Sequence, residues 1–160
     1  MLRMRKGVDG MIRVLVGVDG AVGLRDNRVD ILEVRGDSVR DLVTELHIDW
    51  ERELVAFMLV GGEYKYYNRD MVEFIGIKLP HSDEDYLSPE VVRSLITIEY
   101  NSDYTCISEG KDSVLYEAMR LEEQIRQGLV ITIDKTDNTW VMCLPAKRIV
   151  SVSIEPCNQV

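Results

Sequence analysis

Apolar positions along the chain fall into short blocks with two different periods. Ile12 to Val18 is apolar and β-branched, the pattern of a strand, and Asp19-Gly20 turns it. Arg28 to Val34 follows as a second strand with looser alternation. The period then changes. Asp37 and Ser38 offer a helix cap, and Val39, Leu42, Val43 and Leu46 recur at the spacing of one helical face. Leu54 to Val60 reads as a buried strand, Gly61-Gly62 as its turn, and Glu63 to Tyr67 as the returning strand of a hairpin. Met71 to Leu79 predicts a further strand, which Pro80 ends.

His81 to Tyr86 is a polar, acidic connector. Ser88-Pro89-Glu90 opens a helical turn with proline at its first position, and the pattern stops soon after. Leu95 to Tyr100 predicts a strand, Asn101-Ser102-Asp103 a turn, and Tyr104 to Ser108 its partner. Asp112-Ser113 caps a second helix that Gly128 ends. Val114, Ala118, Leu121 and Ile125 form its expected inner stripe, with Glu122 and Arg126 paired on the outer face. Leu129 to Ile133, a turn at Thr136-Asp137-Asn138, and Thr139 to Leu144 make another hairpin. Ile149 to Glu155, with alternating Val150, Val152 and Ile154, closes the series.

These elements predict an α+β fold, mostly antiparallel β with two short-to-medium amphipathic helices. Strand, strand, helix and three strands occur twice. One fixed shift sets Asp37-Ser38-Val39 on Asp112-Ser113-Val114, Leu46 on Leu121, and Leu54-Val55 on Leu129-Val130. The expectation is a tandem ββαβββ repeat packed as one compact fold. Residues 1–10 form a tail, 11–80 the first unit, 81–93 a connector and 94–156 the second unit. Each unit alone is small for a stable core, so the two are expected to share one.

The stretch Ile48-Asp49-Trp50-Glu51-Arg52-Glu53-Leu54 through Gly61-Gly62-Glu63-Tyr64-Lys65-Tyr66-Tyr67 resembles the central hairpin of KTSC domains, without their flanking signature residues. Met11 to Val60 resembles the element order of a ubiquitin-like β-grasp, with Ser38-Val39-Arg40-Asp41-Leu42 opening its helix. Carriers of that fold end in Gly-Gly, and here the last residues are Cys157-Asn158-Gln159-Val160, so carrier chemistry is not expected to transfer. Neither family is adopted.

Composition narrows the class. With 46% hydrophobic and 29% charged residues among 160, the chain can bury a core and does not read as disordered. No apolar run approaches the ~20 residues of a membrane helix. The basic start Met1 to Gly7 lacks the following apolar stretch of a signal peptide, because Asp9, Gly10 and Arg13 interrupt it. Cys106, Cys143 and Cys157 form no close pair, which fits free thiols in a reducing, cytoplasmic setting. A net charge of −9 repels phosphates, so direct nucleic-acid binding is disfavoured; the acidity reads first as solubility, and more sharply as a surface for a basic, nucleic-acid-binding protein partner.

Candidate chemistry is sparse. There are two histidines, His47 beside Asp49 and His81 beside Asp83 and Asp85, and neither has metal-site spacing. Asp83, Glu84 and Asp85 form an acidic patch without the calcium-loop pattern. The glycines at 17, 20 and 23 do not have phosphate-loop spacing. No catalytic residue, metal or cofactor is expected. The interface candidates are Trp50, Tyr64, Lys65, Tyr66, Tyr67 and Arg69 around the first hairpin, and Trp140, Lys147 and Arg148 around the second. The expected function is that of a non-catalytic binding protein that regulates or inhibits a macromolecular partner. Such a protein could serve a phage or mobile element against a host nucleic-acid machine. The alternatives are a metabolite- or nucleotide-binding protein, as a homo-oligomer or alone, and an enzyme with an unrecognised site.

Overall fold

The computed structural model describes residues 10–20, 27–79, 91–101, 104–134 and 140–157. Its first half contains β1 (Met11–Val18), β2 (Arg28–Arg35), α1 (Val39–Glu51), β3 (Leu54–Met58), β4 (Tyr64–Asn68), a 3-10 turn (Arg69–Met71) and β5 (Val72–Lys78). Its second half contains β6 (Ser94–Tyr100), β7 (Tyr104–Gly110), α2 (Val114–Gln127), β8 (Leu129–Ile133), β9 (Trp140–Pro145), a 3-10 turn (Ala146–Arg148) and β10 (Ile149–Pro156). The fold is α+β, as the two periods predict. The connector from His81 to Glu90, with Asp83, Glu84 and Asp85, lies outside the described residues, as does the turn at Thr136-Asp137-Asn138.

Both helices start as the sequence dictates. The Asp41 N–H donates to Ser38 Oγ (3.0 Å), and the Tyr116 N–H donates to Ser113 Oγ (3.4 Å). Gly128, at φ 92°, ends α2 in the left-handed conformation that glycine adopts without penalty. In α1 the apolar face Val39, Leu42, Leu46 and Trp50 is buried. In α2 the expected stripe holds only in part. Leu121 is buried, Val114 and Ala118 are half-buried, and Ile125 is exposed. Glu117 is buried among them instead. Its carboxylate accepts from Arg120 Nε (2.8 Å) and the Asp112 N–H (3.1 Å). Gln124 likewise turns to the strands, where its Oε1 accepts from the Ile131 N–H (3.0 Å). Backbone amides that need acceptors thus draw two polar residues towards positions that periodicity assigned to apolar ones.

Hydrogen bonds define sheets of order β2-β1-β5-β9-β8, β10-β6-β7 and β3-β4, with every pair antiparallel. Past its last ladder pair, the β3 strand still reaches β2, through a Val34–Leu59 bridge and a Val60 N–H donating to the Glu33 carbonyl (2.9 Å). In the second half β7 lies against β8. The strands therefore follow one path, β4-β3-β2-β1-β5-β9-β8-β7-β6-β10. Among the described residues, the outer edges of β4 and β10 pair with nothing.

Two cores lie on opposite faces of the five-stranded sheet. The first gathers Val14, Val16, Leu42, Leu46, Phe57 and Ile77, and the second gathers Ile96, Ile98, Cys106, Leu121, Val130 and Leu144. Strand alternation makes β9 serve both. Val141 and Cys143 enter the first core, while Leu144 belongs to the second and Met142 packs against it. Among the described residues, no helix is long and apolar enough to cross a membrane.

Candidate interaction surface on the β3–β4 hairpin

The Gly61-Gly62 turn sets the geometry of the surface. Gly62 takes φ 96°, and its N–H donates to the Leu59 carbonyl (2.9 Å). The chain returns with Met58 opposite Tyr64, Ala56 opposite Tyr66 and Val55 opposite Tyr67. The two-residue period then separates the tyrosines. Tyr67 faces inward and is buried, its ring edge-on to Phe57 at 6.2 Å. Its hydroxyl donates to Asp30 Oδ2 (2.8 Å), which also receives the Arg28 guanidinium. Burial pushes the Asp30 carboxyl up, but these two donors outweigh it and hold the group below its ordinary range. Burial, with the Asp30 carboxylate beside it, raises the Tyr67 phenol.

Tyr64 and Tyr66 point the other way and are 55% and 57% exposed. Their rings stack with centroids 6.2 Å apart. Leu54 and Met58, also exposed, share that face. The result is an apolar, aromatic surface along a strand edge that pairs with nothing among the described residues.

The other interface candidates have partners within the fold. Trp50 is buried in the first core, where its Nε1 lies against Gly128. Arg69 donates from Nη1 to the Trp50 carbonyl (2.8 Å) and from Nη2 to Glu53 Oε1 (3.1 Å), tying the end of α1 to the end of β4. Lys65 sits 5.7 Å from the Tyr67 ring centroid. Trp140 is half-buried on β9, opposite Lys78, whose ammonium lies 5.1 Å from its ring. Lys147 pairs with Asp70 (3.5 Å) at the surface, and the more buried Arg148 pairs with Asp19, so both reach from the second half to the first. Among the described residues, both edges of β9 are paired, because it lies between β5 and β8, whereas β4 keeps one edge unpaired.

Other chemistry finds little support. Asp49 accepts from the Ala56 N–H (3.1 Å), a structural bond, and burial lowers the pKa of its neighbour His47. Among the described residues, no three His, Cys, Asp or Glu side chains are grouped to hold a metal. A groove of about 490 Å³ lies between α1 and the hairpin, lined by Val34, Leu42, Glu45, Phe57 and Met58. Cys106 and Cys143 are buried, and burial pushes both thiols up to about 12, well away from thiolate nucleophiles. Native protein is thus expected to give fast reaction with Ellman's reagent at Cys157 alone, and at all three cysteines after urea unfolding. Rapid native labelling of Cys106 or Cys143, read by mass spectrometry, would contradict that packing.

Compared with known proteins, the chain matches no family model, no curated protein and no solved structure.

Proposed function

We propose that this chain is a non-catalytic binding protein whose contact surface is the outer face and free edge of β4, and that it regulates or inhibits a macromolecular partner through it. The exposed, stacked pair Tyr64 and Tyr66 on a strand whose outer edge pairs with nothing among the described residues carries this reading. Tyrosine offers a large, stiff contact area at low entropic cost. A free strand edge adds backbone donors and acceptors for a partner strand. The net charge of −9 disfavours a nucleic acid as that partner. The test is retention of partners on immobilised wild type and on the Tyr64→Ala/Tyr66→Ala variant, at low salt. A partner held by wild type is expected to fall at least ~10-fold on the variant. Equal retention on both would overturn the reading.

We also infer that the two halves are structural repeats of one ββαβββ unit. Hydrogen bonds between distant elements support this more strongly than caps and leucines do. The Ala56 N–H to Asp49 bond has a counterpart in Ile131 to Gln124. The Arg69 N–H donates to the Glu53 carbonyl (3.3 Å), and the Ala146 N–H donates to that of Gly128 (2.9 Å). The Asp19 N–H meets the Met71 carbonyl (2.9 Å), and the Asn101 N–H meets that of Arg148 (3.1 Å). The β1–β5 and β6–β10 ladders also break register at matching places, Gly17/Val18 and Ile149/Ser151.

A further inference from the structure

The repeat has one junction that is used once and left open once. In the first unit β5 is covered by β9 of the second, with Ile75 opposite Cys143 and Ile77 opposite Val141. All four side chains are fully buried. The counterpart of β5 is β10, and the counterpart of β9 is β4. The registers fix the correspondence. Asn68 and Pro145 each pair with the first residue of the preceding strand, Leu54 and Leu129. The same step takes Tyr66 to Cys143, Tyr64 to Val141, Ile75 to Val152 and Ile77 to Ile154. Tyr64 and Tyr66 are exposed, while Val152 and Ile154 are half-buried against the second core. Within one chain these two edges lie at opposite ends of the strand path, and neither is paired among the described residues.

Resting on the β4 reading and the repeat, we infer that a second copy of this chain docks its β10 along β4, reproducing the β5–β9 junction between molecules. The register places Val152 opposite Tyr66, Ser153 opposite Lys65, Ile154 opposite Tyr64 and Glu155 opposite Glu63. Both tyrosines then cover the second core of the neighbour, as Val141 and Cys143 cover the first core within the chain. The contact is head-to-tail, so each copy keeps one free edge until a ring closes or a filament grows. Pairing both ends also removes two open edges, which isolated sheets otherwise expose to uncontrolled association.

Sedimentation velocity of the full chain across the micromolar range tests this. Wild type is expected to associate as concentration rises. Tyr64→Lys/Tyr66→Lys, at two exposed positions, is expected to raise the dissociation constant at least ~10-fold. Glu155→Lys replaces the like-charge pair with Glu63 by an opposite one, and is expected to tighten association roughly 2–5-fold. Mixing two blocked chains reads the polarity. The tyrosine variant keeps a working β10, and Val152→Lys keeps a working β4. Each alone should stay monomeric, and together they should form a one-to-one pair and nothing larger. Thermal unfolding checks that Val152→Lys folds, and the Glu155→Lys arm stands without it. A monomeric wild type overturns the inference, as does a tyrosine variant that pairs with itself. If wild type is monomeric yet retains another protein through Tyr64 and Tyr66, the β4 surface stands and only the self-partner falls. Association that ignores the tyrosines overturns the self-pairing inference, while the β4 reading is decided by the retention test.

Discussion

Trp50→Ala is expected to destabilise the fold by about 3–5 kcal/mol. The indole sits on the last turn of α1 and is 4% exposed. It fills the place where the end of α1 meets the end of α2. A Cβ on Gly128 would come within 3.1 Å of its Nε1, so the ring already lies against that backbone. Its backbone carbonyl also receives the Arg69 guanidinium. Removing the ring opens a cavity at the seam between the halves, and the surrounding strands can collapse into it only in part. Urea unfolding followed by circular dichroism reads the loss. Tyr64→Ala is the contrast, since an exposed side chain should change stability by no more than roughly 0.5 kcal/mol. A loss below about 1 kcal/mol at Trp50 would place that side chain on the surface, as its sequence pattern allowed.

Glu117→Ala is the second large effect, with an expected cost of roughly 2–4 kcal/mol. Glu117 is 3% exposed, and its two oxygens serve different donors, Arg120 Nε and the Asp112 N–H. The Asp112 carbonyl in turn accepts from Ser94 Oγ (3.0 Å), which joins the start of α2 to β6. Alanine leaves the backbone donor without its acceptor and the guanidinium without its counter-charge. Glu117→Gln keeps one carbonyl oxygen for the Asp112 N–H and should lose about half as much. Equal stability of wild type and both variants in urea would show that this carboxylate does not hold the cap.

Local signals made the elements legible. Ser38 and Ser113 are strong helix caps, Gly62 and Gly128 mark turns, and Cys106 and Cys143 sit in strand patterns with apolar neighbours. Each of these is decided within a few residues. The two-residue period also separated Tyr67 from Tyr64 and Tyr66, because one face of a strand is fixed by its neighbours in sequence. What the sequence left open depends on contacts between distant segments. Trp50 and Trp140 look alike beside their hairpins, yet one packs against Gly128 and the other lies beside Lys78 on a covered strand. Lys147 and Arg148 read as interface candidates, and only the fold shows them paired with Asp70 and Asp19, far away in the chain. Glu117 and Gln124 displaced the expected stripe of α2 because backbone amides outside the helix needed acceptors. Above all, β4 and β9 are both return strands of hairpins, and only the strand path shows that β9 is enclosed while the outer edge of β4 pairs with nothing among the described residues.

The contact role of the β4 edge is tested most directly by a photo-reactive phenylalanine analogue placed at Tyr66, irradiated in a lysate of the source cells. The same analogue at Ile31, an exposed position on β2, is the control. The expected result is a covalent adduct from position 66 and none from position 31, with the adduct peptide naming the partner. No adduct from position 66, or equal adducts from both, would contradict the assignment of β4 as the surface through which this protein acts.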